Sequence, residues 1–345
     1  MKIKNLLFRL LLFMIASNAI DLQAQDIHFS QYDKNPLLLN PALTGFYVGT
    51  HRGGINYKSQ WKSMDSPYKT YSAFYDALIF RNKWKNDKFG LGVVIYSDKA
   101  GDTHMGLTKV SGSFSYKKIL TEKNAFLFGF QCGYAQNSVN LNNSTWDNQF
   151  NGQVFDPNLP SNEQSYSNNF SYIDYTGGIG WCFRPNNYLK STSGISLQHL
   201  GQPKVQFSND TPTGLYRKLI IHNTTEIYTK NDKRSLEPGF MYSRQGKLQE
   251  FIAGCMIRLQ LREKPHYTDL ASETVFSFGG YYRIADAFIF ATRLNYNNLE
   301  LNLSYDVNTS KATNITKCMG GFEISIIYVH PDKAIIPCKG VPKFL

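Results

Sequence analysis

The chain has 345 residues, with 37 lysines and arginines against 26 aspartates and glutamates and a formal net charge of +11. Hydrophobic residues make up 42%, aromatic residues 14% and charged residues only 18%, and the mean hydropathy is −0.35. This balance excludes a disordered chain, a coiled coil and a bundle of apolar transmembrane helices, and it is typical of a sheet protein in contact with lipid. Because closed barrels often exceed the usual domain length, we expect one domain rather than two. The basic residues are dispersed, so we expect no nucleic-acid partner.

The first 24 residues have the pattern of a secretory signal peptide. A basic start with Lys2, Lys4 and Arg9 precedes the apolar residues 10–16, and cleavage is expected before Gln25. The apolar run is too short to span a bilayer as a helix. We therefore expect residues 1–24 to direct export.

Residues 25–51 form an irregular segment ahead of the first predicted strand. Asn-Pro occurs twice, at 35–36 and 40–41, and each proline fixes its own φ and biases the preceding asparagine toward extended or turn geometry. The segment is too apolar for a free tail and unsuited to a membrane strand. We expect it to pack at a periplasmic mouth or inside a lumen, and both a purely structural and a partner-binding role stay open.

From residue 52 to residue 330, apolar and polar side chains alternate with a period of two. The clearest run places Phe126, Phe128, Phe130 and Tyr134 on one face. The runs are about 9–14 residues long, which suits a tilted membrane strand better than a soluble one. The pattern therefore predicts an all-β fold, a transmembrane antiparallel up-and-down β-barrel with its apolar face on lipid; a soluble β-sandwich is the alternative. About fourteen strands are predicted: 52–60, 69–79, 88–97, 106–118, 124–136, 170–184, 188–199, 216–229, 235–243, 248–262, 273–283, 286–296, 299–307 and 317–330.

Strand ends and connections supply the expected orientation. An even number of strands places both chain ends on the periplasmic side, so residues 138–169 and 201–215 are expected outside the cell. Residues 331–345 would form a periplasmic tail. Tyrosines near strand ends are predicted to form interfacial girdles: Tyr68, Tyr71, Tyr116, Tyr172, Tyr175, Tyr281, Tyr282, Tyr296, Tyr305 and Tyr328.

The sequence contains no motif of a catalytic, metal or cofactor site. Its five cysteines lie singly without CxxC spacing, so we expect neither a zinc site nor a disulfide framework, while a disulfide of Cys338 stays open. Ser196 and His199 are three residues apart on a predicted strand, which places them on opposite faces and argues against a barrel hydrolase. We therefore expect no enzyme activity, no cofactor and no metal. Several charged side chains are interpreted as solvated lumen lining rather than a transport site: Glu250, Arg258, Arg262, Glu300 and Asp306.

Motifs at both ends of the mature chain carry a family resemblance. A run D-x-x-F-S-Q-Y…N-P-L-x-x-N-P-A-x-x-G is matched at Asp26, Phe29, Ser30, Gln31, Tyr32, Asn35, Pro36, Leu37, Asn40, Pro41, Ala42 and Gly45. Shorter patterns are matched at Tyr57, Lys58, Gln60 and Trp61, at Pro67, Thr70 and Asp76, at Gly90, Gly92, Asp98 and Gly101, at Gly320–Ile324, and at Cys338 and Phe344. The chain in this respect resembles the PorP/SprF family of outer-membrane proteins of the type IX secretion and gliding apparatus of Bacteroidetes.

The resemblance implies a non-enzymatic outer-membrane barrel. One subgroup, PorP itself, is associated with the periplasmic ring and motor of the secretion machine, whereas the SprF-like subgroup assists export or surface attachment of a secreted adhesin or other cargo. The implied partners are outer-membrane lipid, the C-terminal domain of a secreted cargo or adhesin, and periplasmic ring, motor or peptidoglycan-associated proteins. A passive porin is the alternative. The candidate residues for the family motif and partner docking are Phe29, Ser30, Gln31, Asn35, Pro36, Asn40, Pro41, Gly45, Gln60 and Trp61.

Overall fold

Each long strand of the computed structural model pairs antiparallel with its neighbour in sequence until the sheet closes on itself. The structure describes residues 26–60, 67–80, 86–100, 105–138, 147–150, 152–156, 159, 169–205, 213–229, 233–262, 273–310 and 319–331. Within these ranges the strands are β1 (His51–Gln60), β2 (Tyr68–Ile79), β3 (Asp87–Ala100), β4 (Met105–Thr121), β5 (Asn124–Ser138), β6 (Asn169–Asn186), β7 (Leu189–Gln198), β8 (Lys204–Val205), β9 (Thr213–Gly214), β10 (Lys218–Tyr228), β11 (Arg234–Gln245), β12 (Leu248–Arg262), β13 (Thr274–Arg283), β14 (Ala287–Tyr296), β15 (Leu299–Asn308) and β16 (Met319–Val329).

The predicted barrel is confirmed, because fourteen of these strands form one closed antiparallel sheet. Each of the fourteen predicted runs corresponds to one barrel strand, with boundaries that differ by a few residues. The two remaining strands, β8 and β9, pair with each other as a small separate sheet within the predicted loop 201–215. The predicted signal peptide and all of the predicted tail beyond Pro331 lie outside the described residues.

The barrel closes where β1 pairs with β16, from Arg52 opposite Val329 to Gln60 opposite Gly321. We call the end at which β1 begins and β16 finishes the closing end, and the opposite end the far end. At the closing end, the Thr50 backbone N–H donates to the His330 carbonyl over 2.9 Å. With an even number of strands the sheet therefore starts and finishes on one side, and the rule for bacterial barrels predicts that this side is periplasmic.

The two faces of the wall differ as the alternation predicts. Phe126, Phe128 and Phe130 on β5 point outward and are 41–49% exposed, a surface suited to lipid, whereas Asp174 and Thr176 on β6 point inward and are buried. The outer face is apolar, and the inner face carries most of the buried polar and charged side chains, as in membrane barrels.

Three of the predicted girdle tyrosines are on the wrong face. Tyr68 lies two residues from the buried Thr70 on β2 and shares its inward face. Tyr172 lies two residues from the buried Asp174 and shares its inward face, and Tyr281 is likewise two residues from the inward-facing Arg283. The Tyr281 ring contacts the Tyr32 ring edge-on inside the barrel, with centroids 6.1 Å apart. An aromatic residue near a strand end is therefore not sufficient to indicate the interface, because the side on which it points depends on strand parity.

In the part of the chain that the structure describes, helical structure is confined to short turns. A single α-helical turn, α1, spans Pro36–Leu39, and 3-10 turns span Tyr32–Lys34, Pro41–Leu43 and Asp147–Gln149. No helix among the described residues is long and apolar enough to cross a membrane.

A plugged lumen as the candidate functional site

Residues 26–50, which we call the plug, occupy the inside of the barrel. The plug begins at the far end, where the Asp26 backbone N–H donates to the Gln245 side chain over 3.4 Å. It finishes at the closing end, where Thr50 binds His330. Of the two predicted locations of this segment, the lumen is therefore the one observed.

The two Asn-Pro pairs start the last two of the three helical turns of the plug. Pro36 is the first residue of α1 and Pro41 the first residue of the next 3-10 turn, where the missing N–H of proline is not needed and its fixed φ suits a helix. The Asn40 side chain accepts a hydrogen bond from the Ala42 N–H over 2.9 Å and so caps the second turn. The Asn35 side chain instead donates to Ser72 Oγ on β2 over 2.6 Å. The pairs therefore shape the plug and attach it to the wall.

The second half of the plug fits into the wall by close approach. The barrel glycine Gly129 has no room for a Cβ atom, because that atom would overlap the backbone of Ala42. Gly178 lies in the same way against the Asn40 side chain, which also donates to the Ile179 carbonyl over 3.0 Å. Gly45 takes a left-handed φ of +68° and donates its N–H to Asp76 over 2.7 Å. These glycines let the plug and the wall approach each other at backbone distance.

Apolar contacts also hold this half. Leu37 is fully buried among inward-facing side chains of β2, β3 and β16. Leu39, Ala42 and Leu43 belong to a second buried cluster with side chains of the opposite wall. The wall residues of the two clusters are Phe74, Val94 and Ile327 for the first, and Leu127, Ile220, Met241, Ile252 and Ile289 for the second.

The first half of the plug is held by charged side chains of the last strands. Ser30 Oγ donates to Asp306 Oδ2 over 2.5 Å, and Arg283 Nη2 lies 2.6 Å from the same Ser30 hydroxyl. The backbone N–H groups of Ser30 and Gln31 donate to the two carboxylate oxygens of Glu323, over 2.6 and 3.0 Å. A short stretch of plug backbone is thereby bound between β13, β15 and β16.

Ion pairs balance the charges of this cluster. Arg283 pairs with Glu250 over 3.2 Å and with Asp306 over 3.1 Å. Lys58 pairs with Glu323 over 3.1 Å and donates to the His28 carbonyl over 2.9 Å. All of these charged side chains are nearly inaccessible, and buried charges are tolerated only when they are paired and hydrogen-bonded.

A second ionic cluster lies nearer the closing end. Lys34 of the plug pairs with Glu300 on β15 over 2.9 Å. Arg293 on β14 pairs with Glu237 over 2.7 Å and lies 3.6 Å from the Asp33 carboxylate. Charged side chains of five strands, β1, β13, β14, β15 and β16, thus contact the plug along its first nine residues.

A third polar contact fixes the start of the plug at the far end. His199 Nε2 lies 2.6 Å from the Asp26 carboxylate, and His199 Nδ1 lies 3.0 Å from Asp174, which also pairs with Lys109. Burial alone would lower the pKa of His199, but the carboxylates of Asp26 and Asp174 outweigh it and raise the pKa to about 9. The imidazole is therefore cationic at neutral pH and binds both carboxylates as an ion.

The predicted opposite orientation of Ser196 and His199 is wrong. His199 follows the last residue of β7 and has a left-handed φ of +56°, which breaks the alternation and turns its side chain inward. Ser196 also points inward and donates to the Leu39 carbonyl over 2.7 Å. Each side chain is occupied by the plug, so the two do not act as a catalytic pair in this arrangement.

Eight of the ten candidate motif residues lie in the plug. Phe29, Ser30, Gln31, Asn35, Pro36, Asn40, Pro41 and Gly45 are all buried against the barrel wall. Gln60 is apart from them, half-buried at the far end of β1, and Trp61 lies outside the described residues. The geometry assigns the eight to plug–wall contacts, and partner docking by these side chains stays a prediction.

The predicted lumen residues divide in the same way. Glu250, Glu300 and Asp306 are not solvated lining, because all three take part in the ionic clusters around the plug. Arg258 lies 3.9 Å from Glu273, and Arg262 is exposed at the end of β12. Sequence reasoning missed Arg283, Arg293 and Glu323. The available signal was a charged residue at an inward position of an otherwise apolar strand.

One cavity lies directly beside the plug. A cavity of about 70 Å³ lies between the plug and the far half of the wall, next to Asp26, Lys109 and His199. Among the described residues no group of three or more His, Cys, Asp or Glu side chains could hold a metal ion. The described cysteines, Cys132, Cys182 and Cys255, are free, and the other two lie outside the described residues.

These features define a class of protein, a fourteen-strand membrane β-barrel whose lumen is filled by its own N-terminal segment. Residues 21–328 match the model of the family described as "Type IX secretion system membrane protein PorP/SprF". The chain belongs to this family, which confirms the resemblance found in the motifs and indicates the outer membrane as its location.

Several solved structures align with most of the chain. A TodX deltaS2S3 mutant monoaromatic hydrocarbon channel aligns with a TM-score of 0.51 and 8% identity over 84% of this chain and 92% of that chain. The toluene transporter TodX of P. putida aligns with a TM-score of 0.49 and 9% identity over 86% of this chain and 94% of that chain. A Pseudomonas aeruginosa FadL homologue aligns with a TM-score of 0.49 and 10% identity over 84% of this chain and 92% of that chain. At such identities the first similarity shows the fold alone. Among curated proteins, no sequence matches the chain.

Proposed function

We propose that this barrel serves type IX secretion as a non-enzymatic anchor in the outer membrane that holds a partner protein, and not as a route for solutes. The observation that carries the proposal is the plug, which runs from one end of the lumen to the other and is bound to the wall by three polar clusters and two apolar ones. A porin needs a continuous aqueous path, whereas the inner wall of this barrel is engaged with its own chain.

The two ends of the barrel offer different surfaces to partners. The far end carries the β8–β9 sheet and a loop segment in which Phe150 and Phe155 are 52% and 45% exposed, with ring centroids 6.3 Å apart. We assign to this end the contact with the C-terminal domain of a secreted cargo or adhesin. The closing end, with the predicted periplasmic tail, is assigned to periplasmic ring, motor or peptidoglycan-associated proteins.

The proposal requires export, with residues 1–24 removed and both chain ends in the periplasm before assembly. The buried positions of the family motif support it indirectly, because they preserve a filled barrel rather than a binding pocket. Specificity would then come from the loops, since connecting segments carry function on a rigid scaffold.

The test is a deletion strain complemented with variants of the full chain. Loss of the chain should abolish secretion or surface attachment of the cargo, and Phe150→Ser/Phe155→Ser should reduce it while leaving barrel assembly unchanged, as judged by heat-modifiable migration on gels. The matched control is Phe290→Ser, because Phe290 is 61% exposed on the outer wall and away from the loops. Normal secretion in the deletion strain, together with single-channel conductance of the purified chain, would favour the porin and overturn the proposal.

A further inference from the structure

The outer wall carries an apolar groove across the closing seam. The groove has a volume of about 440 Å³ and spans β16, β1, β2 and β3. Its centre is Ala73, which stands between Ile55 and Ile95 on the neighbouring strands and is much shorter than either. The side chains around the groove are Ile55, Tyr57, Tyr71, Ala73, Ile95 and Ile326. The small side chain leaves a depression in a surface otherwise formed by large apolar residues.

Two lysines stand directly above this groove on the same outward face. Lys69 and Lys99 are opposite one another on β2 and β3, one pleat beyond the pair Tyr71 and Ser97 toward the far end. Both are exposed, and among the described residues neither makes an ion pair. Directly opposed residues have Cβ atoms about 4.5–5.5 Å apart, and like charges in that position destabilise a sheet.

An anion between the two ammonium groups removes this cost. The described residues that face outward beside them, Ser59 on β1 and Gly106 on β4, bring no negative charge. Asp98, which lies next to Lys99 in sequence, points inward and accepts a hydrogen bond from Thr70 over 2.5 Å. Among the described residues, the wall therefore presents two positive charges over an apolar depression with no negative charge beside them on the outward face, and an anionic group bound there would offset the two charges.

We propose that this site binds one phosphate-bearing lipid, with its phosphate between Lys69 and Lys99 and an acyl chain over Ala73. The order of the two parts along the strands matches such a lipid, because the charges lie at the far end and the apolar groove lies toward the middle of the wall. Since the closing end is periplasmic by the strand-number rule, the far end lies in the outer leaflet. The ligand is therefore the phosphorylated glycolipid of that leaflet, and this assignment is independent of the secretion partner.

The experiment uses the full mature chain, purified in neutral detergent and freed of lipid. Binding is measured by native mass spectrometry with three probes, namely bisphosphorylated lipid A, the same lipid after phosphatase treatment, and phosphatidylglycerol. We expect one bound bisphosphorylated lipid A, and an affinity lower by about tenfold or more in Lys69→Gln/Lys99→Gln, since charge-assisted hydrogen bonds are lost. Ala73→Leu, which fills the groove, should weaken the binding of the phosphorylated lipid without any change in charge.

The control removes two charges from the opposite wall. Arg217 and Arg244 also lie at the far end, and their side chains donate to the backbone carbonyls of Leu200 and Gly246. Arg217→Gln/Arg244→Gln should leave lipid binding unchanged. Ala253→Leu, on the outer face of β12, is the control for the change of volume.

A second measurement separates binding from folding. Without lipid, Lys69→Gln/Lys99→Gln should unfold at the same or a higher temperature than the unmodified chain, because a like-charge pair is removed. Lipid A should raise the unfolding temperature of the unmodified chain more than that of the variant. Equal binding of the dephosphorylated lipid, equal losses in the two double variants, or preference for phosphatidylglycerol over lipid A would overturn the proposal.

Discussion

The two halves of the plug are held in the same lumen by different forces. The first half, up to Lys34, binds the wall through ion pairs and hydrogen bonds to β13, β14, β15 and β16. The second half, from Pro36 onward, binds through buried leucines and through backbone contact at glycines of the opposite wall.

The difference shows where the plug is adjustable. Apolar packing and backbone contact depend on shape and are weakened when a residue changes size by even one methyl group. Ionic contacts depend on protonation and on partners of opposite charge. The contacts of the first half of the plug can therefore change in strength with pH and salt, whereas those of the second half stay the same under these conditions.

The largest effect on stability is expected when the ionic cluster around the first half of the plug loses its central cation, Arg283. Arg283→Met leaves Glu250 and Asp306 buried without their shared partner, which costs about 3–5 kcal/mol. The free energy of unfolding, measured by urea denaturation in detergent, should fall by that amount. Arg262→Met, at an exposed position of β12, is the matched control and should stay within about 0.5 kcal/mol. Similar losses in the two variants would show that the cluster does not hold the plug.

A slightly smaller loss of unfolding free energy is expected when one leucine in the second half of the plug is shortened. Leu37 is fully buried, so Leu37→Ala creates a cavity and should cost about 2–4 kcal/mol in the same urea assay. Leu38, on the same turn, is only half-buried, and Leu38→Ala should cost clearly less. If the two substitutions cost the same, burial of the turn is not what fixes this half.

A smaller effect is expected from a single added methyl group at the contact surface. Gly129→Ala places a Cβ on the backbone of Ala42, and the resulting overpacking should cost about 1–3 kcal/mol. The measurement is the rate of proteolysis of the plug in the folded barrel, which should rise in this variant. Gly112→Ala is the control, because the added atom at that outward position has no neighbour within 4 Å. Unchanged protection of the plug in Gly129→Ala would mean that the two surfaces are not in contact there.

The smallest effect should come from pH at the far end. The pKa of His199 is raised from 6.5 to about 9, so its contribution to stability is complete below pH 6.5 and is lost as the pH rises through about 9. The unfolding temperature of the unmodified chain should therefore fall more between pH 7 and pH 10 than that of His199→Gln. The titratable groups around the ring are Asp26, Asp174, Lys109 and Lys218. Both proteins contain these four groups, so subtracting the pH profile of His199→Gln from that of the unmodified chain removes their own titration. Parallel pH profiles would exclude the ionic form of this contact.

Most of the barrel was predictable because its signal is local. Alternation with a period of two needs only neighbouring residues, and the long runs identified all fourteen barrel strands. The small β8–β9 sheet was missed, since it consists of two-residue strands inside a loop. Tyr68, Tyr172 and Tyr281 were placed on the wrong face because their type, rather than their parity, was used.

The contacts of the plug were much less predictable. The sequence indicated a mouth or a lumen for the N-terminal segment, but the pairing of Ser30 with Glu323 joins residues 293 positions apart, and nothing local encodes such a pair. The inward turn of His199 depends on one left-handed residue at the end of a strand. Both features arise from tertiary structure and leave little trace in composition or periodicity.

Glu323 belongs to the last barrel strand, yet it binds the backbone of Ser30 and Gln31, near the start of the plug. A chain that ends before β16 can pair its earlier strands, but it lacks the carboxylate that receives these N–H groups. Contacts over such sequence separations form late in folding. The contacts of Ser30 and Gln31 with Glu323 therefore form only in a barrel that contains β16, so this part of the plug is held by the strand that is made last.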